Sequence, residues 1–437
     1  MMKMPKVIAA LLLAALAPLS ASAQSPAGAA QAAGTPFERR ATQLVDLFSG
    51  RIAFADYFAP SFQAALPEAQ FRTMTQRLIA QYGDVVVVEK TSPTGDRSGT
   101  LQLRFEKGVG TVALQVGPAS DDRVIGLRLT GFTMDSDSFA DVAGEIAALP
   151  GDTGFLVAEL QEDGFRPLAS AHADRQFAIG STFKLYILDQ LAAEVAAGER
   201  RWADVVPLSH LSFSSAGTGN WPKDTPVTLQ TLANWMISVS DNGATDTLIH
   251  LLGREKIEER MRAAGHSDPS RNIPFLTTVE AFALKGDNFA ELRARFVGAE
   301  DKAQRKLIAD NSDRLVFANV DGISFTAGPR FIDSLEWFAS PGDIARLMID
   351  LRARKSDTAL AAMAINNGVG PVAGAEWRYL GYKGGSEIGV LSMSLLGQRK
   401  TDGKWLVVTA SWNNPAAPVD TNAFVALVTR LLALAAE

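Results

Sequence analysis

The sequence predicts an α+β protein in two parts, a small helix-then-strand unit followed by a larger antiparallel sheet flanked by helices with a helical subdomain. Three observations carry this. The hydrophobic period changes from helical to alternating near residue 84. The second part reads strand, many helices, paired strands, terminal helix, which assembles one sheet from both ends of the unit. The chain has 437 residues, 47% hydrophobic and 21% charged, so it is globular and too long for one ordinary domain.

The elements follow in order. Lys3 and Lys6 precede an apolar segment, Val7 to Leu19, and Ala21-Ser22-Ala23 then offers a cleavage site before Gln24. That is the pattern of a secretory signal over 1–23, and it implies a periplasmic or secreted protein. The segment is short for a membrane span, and no other approaches that length. Residues 24–36, QSPAGAAQAAGTP, are small and breaker-rich and read as a linker. Phe37, Leu44, Leu47 and Phe48, then Phe71, Met74 and Leu78, recur at helical spacing. DVVVVEK opens a run of strands, with a turn expected at Pro93-Thr94-Gly95, followed by TLQLRFEKG, TVALQVG and RVIGLRLTGF. In outline, residues 37–133 resemble the small NTF2-like (nuclear-transport-factor-2 and ketosteroid-isomerase) α+β fold. That resemblance implies an accessory domain.

The acidic stretch 134-MDSDSF-139 reads as a join, and the larger domain, 145–437, opens on the strand 154-GFLVAEL-160. Helices are expected through about 265 and again over 279–310. In 335-LEWFASPGDIARLMIDLRAR-354, Ser340 is an N-cap with Pro341 in the first turn. Residues 387–413 read as strand, Asp-Gly turn, strand, and 421–436 as an apolar helix packed on that sheet.

Composition narrows the chemistry. With 42 basic against 48 acidic residues and no basic run, the chain is a poor nucleic-acid binder. It has no cysteine, and its four histidines are scattered without metal-ligand spacing, so neither a metal nor another cofactor is expected. Ser, Lys, Asn, Asp and Glu are left.

Three stretches carry candidate sites. In 178-AIGSTFKLYILDQLAAEV-195, Ser181 and Lys184 share one face at the start of a helix, and apolar neighbours surround the lysine. Taken alone this is either a capped core helix or a nucleophile with its base. Ser240-Asp241-Asn242 lies between two apolar helices, as either a polar turn capped by Asn242 or Gly243 or a site. In 381-GYKGGSEIGV-390, Lys383 precedes two glycines and a strand pair, and glycine there permits close approach of backbone or ligand.

In this order, S-x-x-K, S-D-N and K-x-G resemble the signature of the penicillin-recognising serine hydrolases, class A β-lactamases and penicillin-binding proteins, over about 145–437. The pairing with an N-terminal isomerase-like domain is similar to β-lactamase-like hydrolases related to the one in clavulanic acid biosynthesis. The resemblance implies a β-lactamase-like fold and an acyl-enzyme on Ser181, with Lys184 as base. Lys383 would be a second cation that also attracts a substrate carboxylate. Ser240 would relay the proton to the leaving nitrogen, and Asn242 would bond the substrate amide. The backbone N–H groups of Ser181 and Ser386, the latter following Gly385, would hold the oxyanion. The implied partner is a small-molecule or peptide acyl substrate with a carboxylate, either a β-lactam or a D-Ala-D-Ala-like peptide. A DD-peptidase, an esterase and a penicillin-binding sensor without turnover are the alternatives.

Two departures from the pattern stand out. Lys383-Gly384-Gly385 lacks the hydroxyl that K-T-G or K-S-G would offer the carboxylate, which implies weaker β-lactam affinity. Residues 262–282 contain no E-x-x-L-N loop to activate the deacylating water. Glu280, the nearby acid, reads as a first-turn helix residue rather than a base. Acylation is therefore expected to be competent and deacylation slow.

Overall fold

The structure is a computed structural model describing residues 34–437 except 119, 120, 163, 323, 324 and 326; the side chains of 81, 371 and 372 are likewise outside it. The expected signal and nearly all of the expected linker lie outside the described residues.

Helices between Pro36 and Tyr82 cover a four-stranded antiparallel meander of β1 (Val85–Gly95), β2 (Ser98–Phe105), β3 (Gly108–Val116) and β4 (Val124–Met134). The first helix is closed by a capping box between Thr35 and Glu38, with Pro36 in its first turn. The interior is aromatic, with Phe54, Phe58, Phe71 and Phe105 among its buried rings. One expectation shifts here. β1 runs through Pro93 to Gly95 and turns at Asp96-Arg97. β1 is an edge strand, where a proline without an N–H forfeits no ladder bond.

The larger sheet has the order β11-β12-β13-β5-β6 and is antiparallel throughout. β5 (Asp152–Gln161) and β6 (Gly164–Ala171) come from its start, β11 (Trp377–Glu387), β12 (Val390–Arg399) and β13 (Trp405–Asn413) from its end. The two halves meet where β13 pairs with β5, as the expected assembly from both ends requires. β5 alternates between two cores. Leu156, Ala158 and Leu160 face the helical region, while Phe155 and Val157 face helices Phe139–Ala147 and Thr421–Ala436. That burial on both faces explains its unbroken apolar run.

Between the halves lie the helices Lys184–Ala196, Leu229–Ser238, Asn242–Leu252, Arg254–Ala263 and Thr278–Lys285, with further helices to Asp310. Two short pairs accompany them, β7 (Phe177–Ala178) with β10 (Phe338–Ala339) and β8 (Val205–Pro207) with β9 (Pro226–Thr228). Helix Pro341–Ala353 begins with a capping box between Ser340 and Asp343, with Pro341 at its first turn as expected. Among the described residues no helix is long and apolar enough to cross a membrane.

Candidate active site

Ser181 does not cap the long helix. It sits in a 3₁₀ turn, Gly180–Phe183, and the α-helix starts at Lys184. The turn is held from two sides. Asn413, at the end of β13, donates to Ala178 O and accepts from Ala178 N at 2.9 and 2.8 Å. Ile179 N–H donates to Trp337 O at 2.9 Å, and the Phe183 and Trp337 rings stack with centroids 3.8 Å apart. Gly180 has φ +46°, a conformation glycine adopts without strain. Ser181 is thus fixed in place while remaining half-exposed.

Lys184 is fully buried. Its Nζ donates to Ser240 O at 2.6 Å, Ser240 Oγ at 3.1 Å and Asn242 Oδ1 at 2.5 Å. All three ammonium protons are thereby used, and no hydrogen bond joins Lys184 to Ser181. Burial pulls the Lys184 ammonium down to about 7, against the opposing charges of Asp246 and Asp241. Lys383 arrives from β11 and donates to Ser240 Oγ at 3.0 Å. Its ammonium is also driven well below the usual lysine range, by burial first and then by Lys184. One hydroxyl, Ser240 Oγ, thus lies between two lysines, and accepting from both leaves its own proton free to donate.

Ser240 reaches this place with φ +61°, an uncommon left-handed conformation for a serine. Asp241, rather than Asn242 or Gly243, caps the next helix, accepting from Ala244 N at 2.8 Å. Its carboxylate also takes Gly217 N, Thr218 N and Thr218 Oγ1, which ties the 213–219 loop to the turn. Asn242 is buried, and its Nδ2 gives one proton to Phe213 O at 2.7 Å, leaving the other.

β11 is the edge strand, and it passes tightly beside the Ser181 turn. A Cβ on Gly385 would lie 2.6 Å from the Gly180 carbonyl carbon, and one on Gly180 would lie 3.0 Å from Ser386 N. Only glycine fits at Gly385, because backbone packs on backbone there. Ser386 follows on the opposite face and is exposed.

Sequence reasoning missed several supports. Asp246 is buried beneath the site and accepts from Thr278 N at 2.7 Å and Val279 N at 3.0 Å, pinning the helix that follows the 262–277 segment. Burial pushes its carboxyl up to about 6. A lone acid in the apolar run ATDTLIHLL was the available signal. Glu280 is spent as expected, in a capping box with Thr277 and in a two-bond pair with Arg254 at 2.8 and 3.1 Å. Lys285, Glu336 and Glu387 form a buried cluster, with Lys285 Nζ 2.6 Å from Glu336 and 2.7 Å from Glu387. No spacing rule links residues so far apart.

Burial and then the Glu336 charge push the Glu387 carboxyl up to about 8, with Lys285 opposing. Between the ordinary carboxylate range and that value, the folded protein holds a proton that the unfolded chain has released. Stability from this group is therefore full at acid pH and lost as pH rises through about 8. Raising the pH from about 5 to about 9 should lower the melting temperature by about 5 °C through this cluster. Glu387→Gln should flatten that slope in a thermal melt series, and an unchanged slope would refute the assignment.

Among the described residues no group of three His, Asp or Glu side chains is placed to hold a metal ion. The beta-lactamase enzyme family matches residues 137–356, which contain Ser181, Lys184 and Ser240–Asn242. The chain belongs to that family. The match ends before Lys383, the residue β11 carries to Ser240. No curated protein matches the sequence. Among solved structures, the β-lactamase from Sphaerobacter thermophilus DSM 20745 is similar over 69% of this chain and 97% of its own, at 21% identity and TM-score 0.46. A β-lactamase from Chitinophaga pinensis DSM 2588 is similar over 68% and 97%, at 15% identity and TM-score 0.45. PBP-A is similar over 68% and 94%, at 14% identity and TM-score 0.44. The fold is the β-lactamase-like arrangement of the family, and the chain is a member of the penicillin-recognising serine hydrolase superfamily.

Proposed function

We propose that the chain is an exported serine hydrolase that acylates on Ser181 and deacylates slowly, acting on a β-lactam or a related amide or ester. The observation that carries this is Ser240 Oγ held between Lys184 and Lys383 beside a rigid, half-exposed Ser181.

Ser181 Oγ attacks the acyl carbonyl and its proton passes to neutral Lys184 Nζ, whose lone pair is freed once the ammonium is lost. The negative oxygen of the tetrahedral species sits between the N–H groups of Ser181 and Ser386. The close pass of β11 over Gly180 supports that pairing. Collapse breaks the C–N bond, and the leaving nitrogen takes its proton from Ser240 Oγ, which is resupplied by Lys184. Asn242 orients Lys184 through Oδ1 and has one Nδ2 proton left for the substrate amide. Lys383 keeps the region electropositive and attracts a carboxylate.

Slow deacylation is supported by how the nearby acids are engaged. Glu280 is bound to Arg254 and Thr277, and Asp246 is bound to Thr278 and Val279. Neither is free to activate water. Export rests on the signal pattern in residues 1–23. Residues 37–133 are assigned an accessory role, because their interior is filled by packed aromatic rings.

Incubation with benzylpenicillin should leave a protein adduct, visible by intact-mass spectrometry and mapped to Ser181, that persists for many minutes. Rapid penicillin consumption without a trapped adduct would overturn slow deacylation, and an adduct elsewhere would overturn the nucleophile.

A further inference from the structure

Three residues far apart in the chain meet at one buried ammonium. Lys285 Nζ donates to Glu336 Oε1 at 2.6 Å and lies 2.7 Å from both carboxyl oxygens of Glu387. Each acid adjoins a residue that shapes the surroundings of Ser181. Glu336 precedes Trp337 and accepts the Trp337 backbone N–H on its second oxygen at 3.3 Å. Trp337 O in turn takes Ile179 N–H at 2.9 Å, and the Trp337 ring stacks on Phe183. Through one carboxylate, Lys285 is thus linked to the residues two before and two after Ser181.

Glu387 leads to the other wall. It follows Ser386, whose N–H is paired above with that of Ser181. Alternation along β11 puts Lys383, Gly385 and Glu387 on one face. From that face Lys383 reaches Ser240 Oγ and Gly385 packs on the Gly180–Ser181 backbone, so Glu387 leaves the strand beside that contact. β11 has a strand neighbour, β12, on one side only, which leaves its position to be held by contacts of this kind. Lys285 is itself well anchored. It ends the helix Thr278–Lys285, whose first N–H groups are fixed on buried Asp246 at 2.7 and 3.0 Å. A buried ion cluster is often no more stabilising than apolar side chains of the same volume, whereas its directed bonds fix geometry.

We propose that Lys285 is a positioning residue for the oxyanion site, tying β11 to the Ser181 turn and so setting the distance between the Ser386 and Ser181 N–H groups. This rests on the acyl-enzyme reading above and adds the device that holds its two backbone donors together. Lys285 touches no substrate; it acts through Glu387 on the strand and through Glu336 and Trp337 on the turn.

Glu387→Ala cuts the tie to the strand and leaves Lys285 paired with Glu336, so no buried charge is stranded. Glu387→Leu, similar in volume and without an acceptor, gives a second reading of the same cut. Glu387→Gln keeps an acceptor for Lys285. It copies the protonated acid, since burial and then the Glu336 charge raise the Glu387 carboxyl to about 8. Acylation by benzylpenicillin would be followed by intact-mass spectrometry over a concentration series, at neutral pH and well below each melting temperature. The final adduct yield counts the folded sites, so partial unfolding lowers the amplitude and not the rate. The expected result is a loss of about 10- to 100-fold in maximal rate for Glu387→Ala and Glu387→Leu, with half-saturation changed by less than about twofold. Glu387→Gln should stay within about threefold of the wild type in both quantities. Wild-type maximal rates in Glu387→Ala and Glu387→Leu would overturn the positioning role while leaving acylation intact. So would a loss in Glu387→Gln as large as in Glu387→Ala. Absence of any adduct on the wild type would instead overturn the acyl-enzyme reading, and this proposal with it.

Discussion

Lys184→Ala should lower the rate of Ser181 acylation about a thousandfold, the scale expected when a positioned general base is removed. The lysine is fully buried and lies within hydrogen-bond distance of three oxygens of the Ser240–Asn242 turn. The wild-type rate should also depend on pH. Lys184 is a base only when neutral, and burial brings its ammonium down to about 7, so acylation should climb with pH and level off above that value. In Lys184→Ala the residual rate should lose this rise. Stopped-flow acylation between about pH 5 and pH 9 reads both effects. A variant that acylates at the wild-type rate, or a flat wild-type profile, would remove Lys184 from the role of base. The variant also strands Ser240 O and Asn242 Oδ1 without a donor, a folding cost of about 1–3 kcal/mol that a melt should register.

The second large effect is expected at a residue with no functional group. Gly385→Ala should cost about 10²- to 10³-fold in acylation, comparable to losing one oxyanion donor. The added methyl would press on the backbone of residues 179–181, 2.6 Å from the Gly180 carbonyl carbon. That backbone cannot recede, since Ile179 is bonded to Trp337 O and Phe183 is stacked on the Trp337 ring. The edge strand must therefore move, carrying Ser386 N–H away from Ser181 N–H. A stability loss of about 1–3 kcal/mol should accompany the displacement. Near-normal acylation by Gly385→Ala, measured by the rate of adduct formation, would show that the two backbones are not held as tightly as described.

What the sequence made legible follows from locality. Ser340, Pro341 and Asp343 form their cap from neighbouring positions, so spacing alone reports it, whereas the Ser181–Lys184 spacing became a candidate site only together with the other two motifs. The assembly of one sheet from both ends was legible because each strand pair keeps its own alternation. The misreadings were also local. The Ser181 helix was expected to begin one turn too early, since a 3₁₀ turn and an α-helix share the same apolar pattern. The β1 turn slid past Pro93 because edge position is a property of the sheet rather than of the strand. The supports that no reading of spacing could supply are long-range. Asn413 with Ala178, Asp246 with Thr278, and Lys285 with Glu336 and Glu387 are each joined only by the fold.

The pairing of β13 with β5 bears on how the molecule comes into being. β5 is made early, but its partner on one side is supplied only when residues 405–413 have emerged, and Lys383 is made after the whole helical region. Contacts between such distant segments are slow to form, because a long loop must close before any of them stabilises the chain. Until then β5 presents an open apolar edge, the kind of surface that recruits chaperones or neighbouring chains. Ser181 is therefore synthesised long before the strand that completes its surroundings.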